Sequence, residues 1–408
     1  MNPKTIISIL AIAPALVWRA EAQIYDTNDD VAETFAGSGM VAYLNAQGAL
    51  ANFSNPIEVA ADSFGNLYVA DTGNGRIRLI TTNGAVSTYV GGGTGSLPGY
   101  GRSVGLPSFI QYPVMICDHS NTLWLDASGG LIRITPDTYA EFLSFSGIYT
   151  GLCVDSSNNL YYTTTGNQIF RLNVNGTLDL FAGSGSSGEA NGNGIYASFN
   201  TPGLLACDEA NNIYVWDSRN YLIRRIDQNQ NVTTIAGNGA SANVDGVGTA
   251  ASFGFIAAME ADNYGNVFLA CSSCIRKIDA STNVWTVAGS FSQSSYANGA
   301  GALARFNGAD GICLSQGMIF VADSANERIR SISFNPVPEP VTRPNLGIAT
   351  YAGITITGFV GRTYQIQAST NMTNWNTVET LLLTSSPYLW FDTNSVAGSK
   401  FYRAFLMP

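Results

Sequence analysis

Histidine is almost missing from this chain: among 408 residues only His119 is one. A Ser-His-Asp or Cys-His catalytic arrangement would have to run through that one side chain, and metal sites built on several histidines are excluded. Charge is scarce too. Lys, Arg, Asp and Glu make up 12% of the residues, and the balance is acidic, net −10. An acidic surface repels phosphate backbones, so no nucleic-acid partner is expected. Beyond the N-terminal segment no apolar run is long enough to cross a bilayer, so the chain does not read as membrane-spanning.

What it has in quantity is glycine, at 43 copies, interspersed with short apolar alternations. That pattern fits tight turns between half-buried strands rather than helices. The first residues read as a secretory signal: Lys4, then the short apolar stretch "TIISILAIAPALVW", then the small-residue site "AEA" at Ala20–Ala22. Cleavage is expected before Gln23, making 1–22 a signal peptide. The mature protein is then periplasmic, cell-surface or extracellular, where cysteines can oxidise.

The strand pair "LYVADTGNGRIRLI" (Leu67–Ile80) recurs at Leu123–Ile134, Leu160–Leu172, Ile213–Ile226, Val267–Ile278 and Ile319–Ile332. Six copies at roughly 40–55-residue spacing predict a six-bladed β-propeller over 23–334. Each copy divides into strands A to D, counted outward from the axis. The last copy stops after strand C, and its missing strand D matches "VAETFAG" (Val31–Gly37). The N-terminal strand is therefore expected to close the ring and remove two sheet edges.

The phrase "AGNGASANVDGVGTAASF" (Ala236–Phe253), the recurring D-x-x-G-N turn and "VADxxNxRIR" resemble the NHL-repeat family, most clearly in copies one, four and six. The resemblance implies a propeller whose members serve as ligand sensors, as protein- or RNA-binding platforms or, in a minority, as enzymes. The several-histidine metal site of NHL-like amidating lyases has no counterpart here. After a Pro-rich linker, 335–344, the residues 345–408 read as a small β-sandwich module. It resembles C-terminal modules of secreted bacterial proteins through "YQIQASTN", "NW" and the closing "FYR". Its Trp375, Trp390 and Tyr402 read as core, with a sugar-stacking face as the alternative.

Long D-to-A loops (Gly37–Phe53, Gly91–Phe109, Gly183–Phe199, Ala236–Phe253 and Gly289–Phe306) all emerge on one rim. Loops on a rigid scaffold are where binding concentrates, so Tyr100, Asn191, Tyr196, Asp245, Tyr296 and Asn298 are candidate binders of a protein or polysaccharide partner. The repeated Ala-x-Phe, with Phe53, Phe199, Phe253 and Phe306, reads as an apolar plug between blades. A non-catalytic binding or scaffold role is the leading expectation, without a cofactor. The alternative is a cation-dependent hydrolase or lactonase, with Ca²⁺ held in the channel by Glu58 and Asp310 of adjacent strands A. The arginines of strand C (Arg78, Arg133, Arg224, Arg276, Arg330) are expected to pair locally, with Asp71, Asp217 and Asp323 as partners. Cys271 and Cys274 form the disulfide candidate, and Cys117, Cys153, Cys207 and Cys313 read as small buried residues.

Overall fold

The computed structural model describes residues 30–106, 114–127, 130–144, 148–333, 353–356, 362–369, 373–383, 388–391 and 401–406. The expected signal peptide and Pro-rich linker lie outside them. Two compact units are present, Met1–Asn335 and Pro336–Pro408.

The first unit is a six-bladed β-propeller, each blade an antiparallel sheet of four main strands. Blade one shows why the sequence folds this way. Its strand B, Leu67–Asp71, is buried along its whole length because both its faces meet neighbouring blades. Its outermost strand, Val86–Gly91, alternates buried and partly exposed positions. The A-to-B turns of four blades use one device. Asp62 Oδ1 accepts the backbone N–H groups of Phe64 and Asn66, and Oδ2 accepts the Asn66 amide. Asp155, Asp208 and Asp262 hold Asn159, Asn212 and Asn266 in the same way, which explains the recurring turn motif.

The N-terminal strand closes the ring as expected. Val31–Ala36 pairs antiparallel with Arg328–Ser333, Val31 opposite Ser333. Each of the six seams between neighbouring blades has its own apolar cluster. In four seams the Phe of the crossover loop is fully buried: Phe53, Phe199, Phe253 and Phe306. The loops also run along the outer edge of the next blade. Gly99–Tyr100, Gly192–Asn193, Gly246–Val247 and Gly299–Ala300 each add a two-residue strand there, and Ala46–Gln47 does the same beside Ala85–Val86 of blade one. The loops expected to crown a rim are thus largely staples. Blade three differs: only 145–147 separate the last strand of blade two (Tyr139–Ser144) from its strand A (Ile148–Val154).

The second unit contains a two-stranded sheet, Gly353–Ile356 with Tyr388–Phe391, and a three-stranded one centred on Thr363–Ser369. The side chains of Trp390 and Tyr402, offered above as part of an aromatic face, lie outside the description.

Candidate functional site

Two places on the propeller gather chemistry: the crossover loops and the central channel. On the loops, one arginine of strand C in each of four blades reaches outward to clasp the loop. In blade four, Arg224 donates to Asp217 Oδ2 at 2.8 Å, to the Ala190 carbonyl at 3.1 Å and to Asn191 Oδ1 at 2.9 Å. Arg78 makes the same set with Asp71, Leu44 and Asn45, and Arg330 with Asp323, Ala297 and Asn298. These ion pairs are fully buried. In blade five the carboxylate has moved. Cys271 stands at the end of strand B where the others have Asp, and Asp245 stands in the loop where they have Asn. Arg276 bonds Asp245 at 2.8 Å.

Asn191, Asp245 and Asn298 therefore serve as loop clamps. Tyr296 is a clamp too: its hydroxyl bonds Thr34 at 2.8 Å and its ring lies under Arg328. Tyr100 and Tyr196 differ, standing 58% and 78% exposed on loops otherwise held in place. Arg133 does not belong to the set. It lies opposite Trp124, where the register of blade one puts Leu79 rather than Arg78, so it projects from the other face and pairs with Glu141.

The channel is lined by strands A. It contains a cavity of about 120 Å³ that touches Glu58, Glu260, Cys117, Cys153, Cys207 and Cys313. Glu58 is buried, and its Oε1 accepts the Val59 N–H at 3.0 Å. Burial pushes its carboxyl well above the usual range, and the nearby Glu260 and Asp310 push the same way. Asp310 is one residue nearer the loop mouth than the position matching Glu58, which is Gly311. A Cβ on Gly311 would come within 2.6 Å of Glu58 Cα, so glycine permits strands A of blades six and one to touch. Asp310 accepts instead from the Ser324 hydroxyl. Among the described residues no three His, Cys, Asp or Glu side chains form a group able to hold a metal ion. Glu58 and Asp310 thus have no third such side chain grouped with them among the described residues.

Glu260 is not among the residues the sequence points to, because it lies two residues beyond Ala258, the blade-five counterpart of Glu58. Burial raises its carboxyl to about 8. A folded-state value above the unfolded one favours folding fully below about 4.5, and that contribution fades as pH rises through 8. Channel water screens part of the effect. We therefore expect Glu260→Gln to raise stability by ~2 kcal/mol at pH 9 and by little at pH 4, read from denaturant midpoints. Equal gains at both pH values would refute this assignment.

The cysteines correct the sequence reading. Cys271 and Cys274 are free buried thiols, while Cys153 and Cys207, on strands A of adjacent blades, form a disulfide. Cys271 donates its N–H to the Cys274 carbonyl across a tight hairpin. Burial pushes the Cys117 thiol up to about 12. His119 sits in an exposed turn, its backbone N–H bonded to Asn158 of the next blade.

No protein-family model and no curated protein matches this chain. Solved structures do. A protein of unknown function from Bacteroides thetaiotaomicron is 21% identical, with TM-score 0.57, over 74% of this chain and 76% of its own. An auxiliary nutrient binding protein from the same organism is 18% identical, with TM-score 0.58, over 74% and 76%. Another protein so described, from Bacteroides ovatus, is 17% identical, with TM-score 0.55, over 75% and 77%. At these identities the likeness shows the propeller fold and nothing finer.

Proposed function

We propose that this protein is an exported, non-catalytic binding protein, an NHL-type propeller of bacterial origin that presents its crossover loops to a protein or polysaccharide. The linker and C-terminal module, read as a β-sandwich, space the propeller from whatever holds it. One observation carries the reading: Tyr196 stands exposed on a loop clasped by the buried Arg224, and Tyr100 stands exposed on the loop into blade two, whose Gly99–Tyr100 pairs with that blade's outer strand. A rigidly mounted aromatic ring offers a large apolar face at little entropic cost, which suits both sugar stacking and protein hot spots. Binding by two of the structural neighbours, as their descriptions state it, is compatible with this role.

The test is a glycan-array and pull-down screen with the chain from Gln23 onward, followed by Tyr100→Ala and Tyr196→Ala. Loss of binding by about tenfold or more, with unchanged melting, supports the reading. Full binding by the double variant would end it. A calcium titration of wild type and a Glu58→Ala/Asp310→Ala variant tests the channel alternative. Saturable heat lost in the variant would replace the binding role with a cation-dependent hydrolase.

A further inference from the structure

The cavity in the central channel is charged on one side only. Among the described residues Glu58 and Glu260 line it, and no lysine, arginine or histidine does. The propeller stretches 107–113, 128–129 and 144–150 contain no basic residue either. Glu58 belongs to blade one and Glu260 to blade five, so the two acids flank strand A of blade six. Across the channel, blades two, three and four present Val114, Leu152 and Leu204. An acidic wall therefore faces an aliphatic one.

The two acids are not equally satisfied. Glu58 accepts the Val59 N–H, whereas the Glu260 carboxyl group meets no hydrogen-bond donor among the described residues, and burial alone pushes it up. Solvent nevertheless reaches Glu260. It is half-buried, as are Cys117, Cys207 and Leu314 at neighbouring places on strands A. A carboxylate in such a place is costly unless a donor meets it, and at neutral pH a proton takes that part. A cation that carries its own donors can replace the proton, which leaves to solvent. A metal ion would need a third ligand, and none is grouped there among the described residues. An ammonium group needs no such shell, because its three N–H bonds reach whatever acceptors are present.

We propose that the channel cavity binds a small primary alkylammonium ion, its nitrogen on Glu260 beside Glu58 and its hydrocarbon chain against Val114, Leu152 and Leu204. The polarity of the walls sets the orientation, and the volume sets the size. At about 120 Å³ the cavity is somewhat smaller than the ~150 Å³ that admits a benzene ring, so an ion of about five non-hydrogen atoms fits. This site is separate from the Tyr100 and Tyr196 surface and stands or falls independently of it.

The probe is n-butylammonium, titrated by calorimetry into the chain from Gln23 onward at pH 9. There Glu260 has mostly lost its proton, and an alkylamine, like a lysine side chain with its usual pKa of about 10.4, keeps its own. Saturable binding is expected, weakened by about tenfold or more in Glu260→Gln, which loses the charge-assisted hydrogen bond. That variant is expected to fold at least as stably as the wild type at this pH, so the loss is not unfolding. In the wild type alone, methylammonium is expected to bind about tenfold or more weakly, because it lacks three methylene groups to bury. The uncharged n-butanol is expected to bind more weakly too. Absence of saturable heat with n-butylammonium overturns the proposal, and so does equal binding to Glu260→Gln. Equal binding of methylammonium or of n-butanol overturns it as well, because the aliphatic wall or the acid then plays no part.

Discussion

Replacing Arg330 by Ala is expected to lower folding stability by about 3–5 kcal/mol, the largest effect of any single substitution considered for this protein. Arg330 is fully buried and ties three parts of the closing blade together. It donates to Asp323 on strand B, to Arg305, Ala297 and Asn298 on the crossover loop, and to the Glu33 carbonyl of the N-terminal strand. Alanine leaves Asp323 buried without its counter-charge and several carbonyls without donors. Burial already pushes Asp323's carboxyl up, against the pull of Asn307, Asn326 and Arg330. Without the arginine that carboxyl protonates more readily, so the loss shrinks as pH falls. Arg330→Lys recovers little, because an ammonium cannot reproduce a planar fork of donors. Urea denaturation measures all of this, with Arg171→Ala as the control. The Arg171–Asp179 pair is partly exposed and screened by water, so little change is expected there. Equal losses in the two variants would show that the clasp is not what holds the ring.

The second large effect concerns blade five. Asp245→Asn is expected to cost about 3 kcal/mol, because the buried Arg276 then keeps its hydrogen bonds but loses its paired carboxylate. Cys271→Asp, made in that background, is expected to restore most of the loss by giving blade five the pattern of blades one, four and six. Cys271→Asp alone places a second carboxylate beside one arginine and is expected to destabilise. The three variants form a double-mutant cycle whose coupling energy exceeds 1 kcal/mol by estimate, roughly the range for groups in one network. Additive effects would mean that the two positions do not exchange roles.

Much of this could be read from the residues themselves. Repetition exposed the blade count, because six copies of one strand pair average out local ambiguity. The incomplete sixth copy and the unattached "VAETFAG" identified the closing strand, since an open sheet edge must be paired. The Arg–Asp partners followed from their constant spacing on paired strands. The candidate site was less legible. Asn191, Asp245, Tyr296 and Asn298 look like loop-tip binders when only composition is considered. Their work as clamps depends on an arginine more than 30 residues later in the chain. Arg133 pairs locally as expected, with Glu141, but a one-residue offset puts it on the opposite face from the four clasping arginines.

The sequence by itself determined the propeller, its closure and the turn chemistry, because each rests on local alternation or on a repeated motif that needs no distant partner. Only the tertiary structure decided which loop residues clamp an arginine, that Cys153 meets Cys207, and that Glu260 sits in the channel. Each of those depends on how neighbouring blades face one another, and that arrangement exists only once the ring has closed.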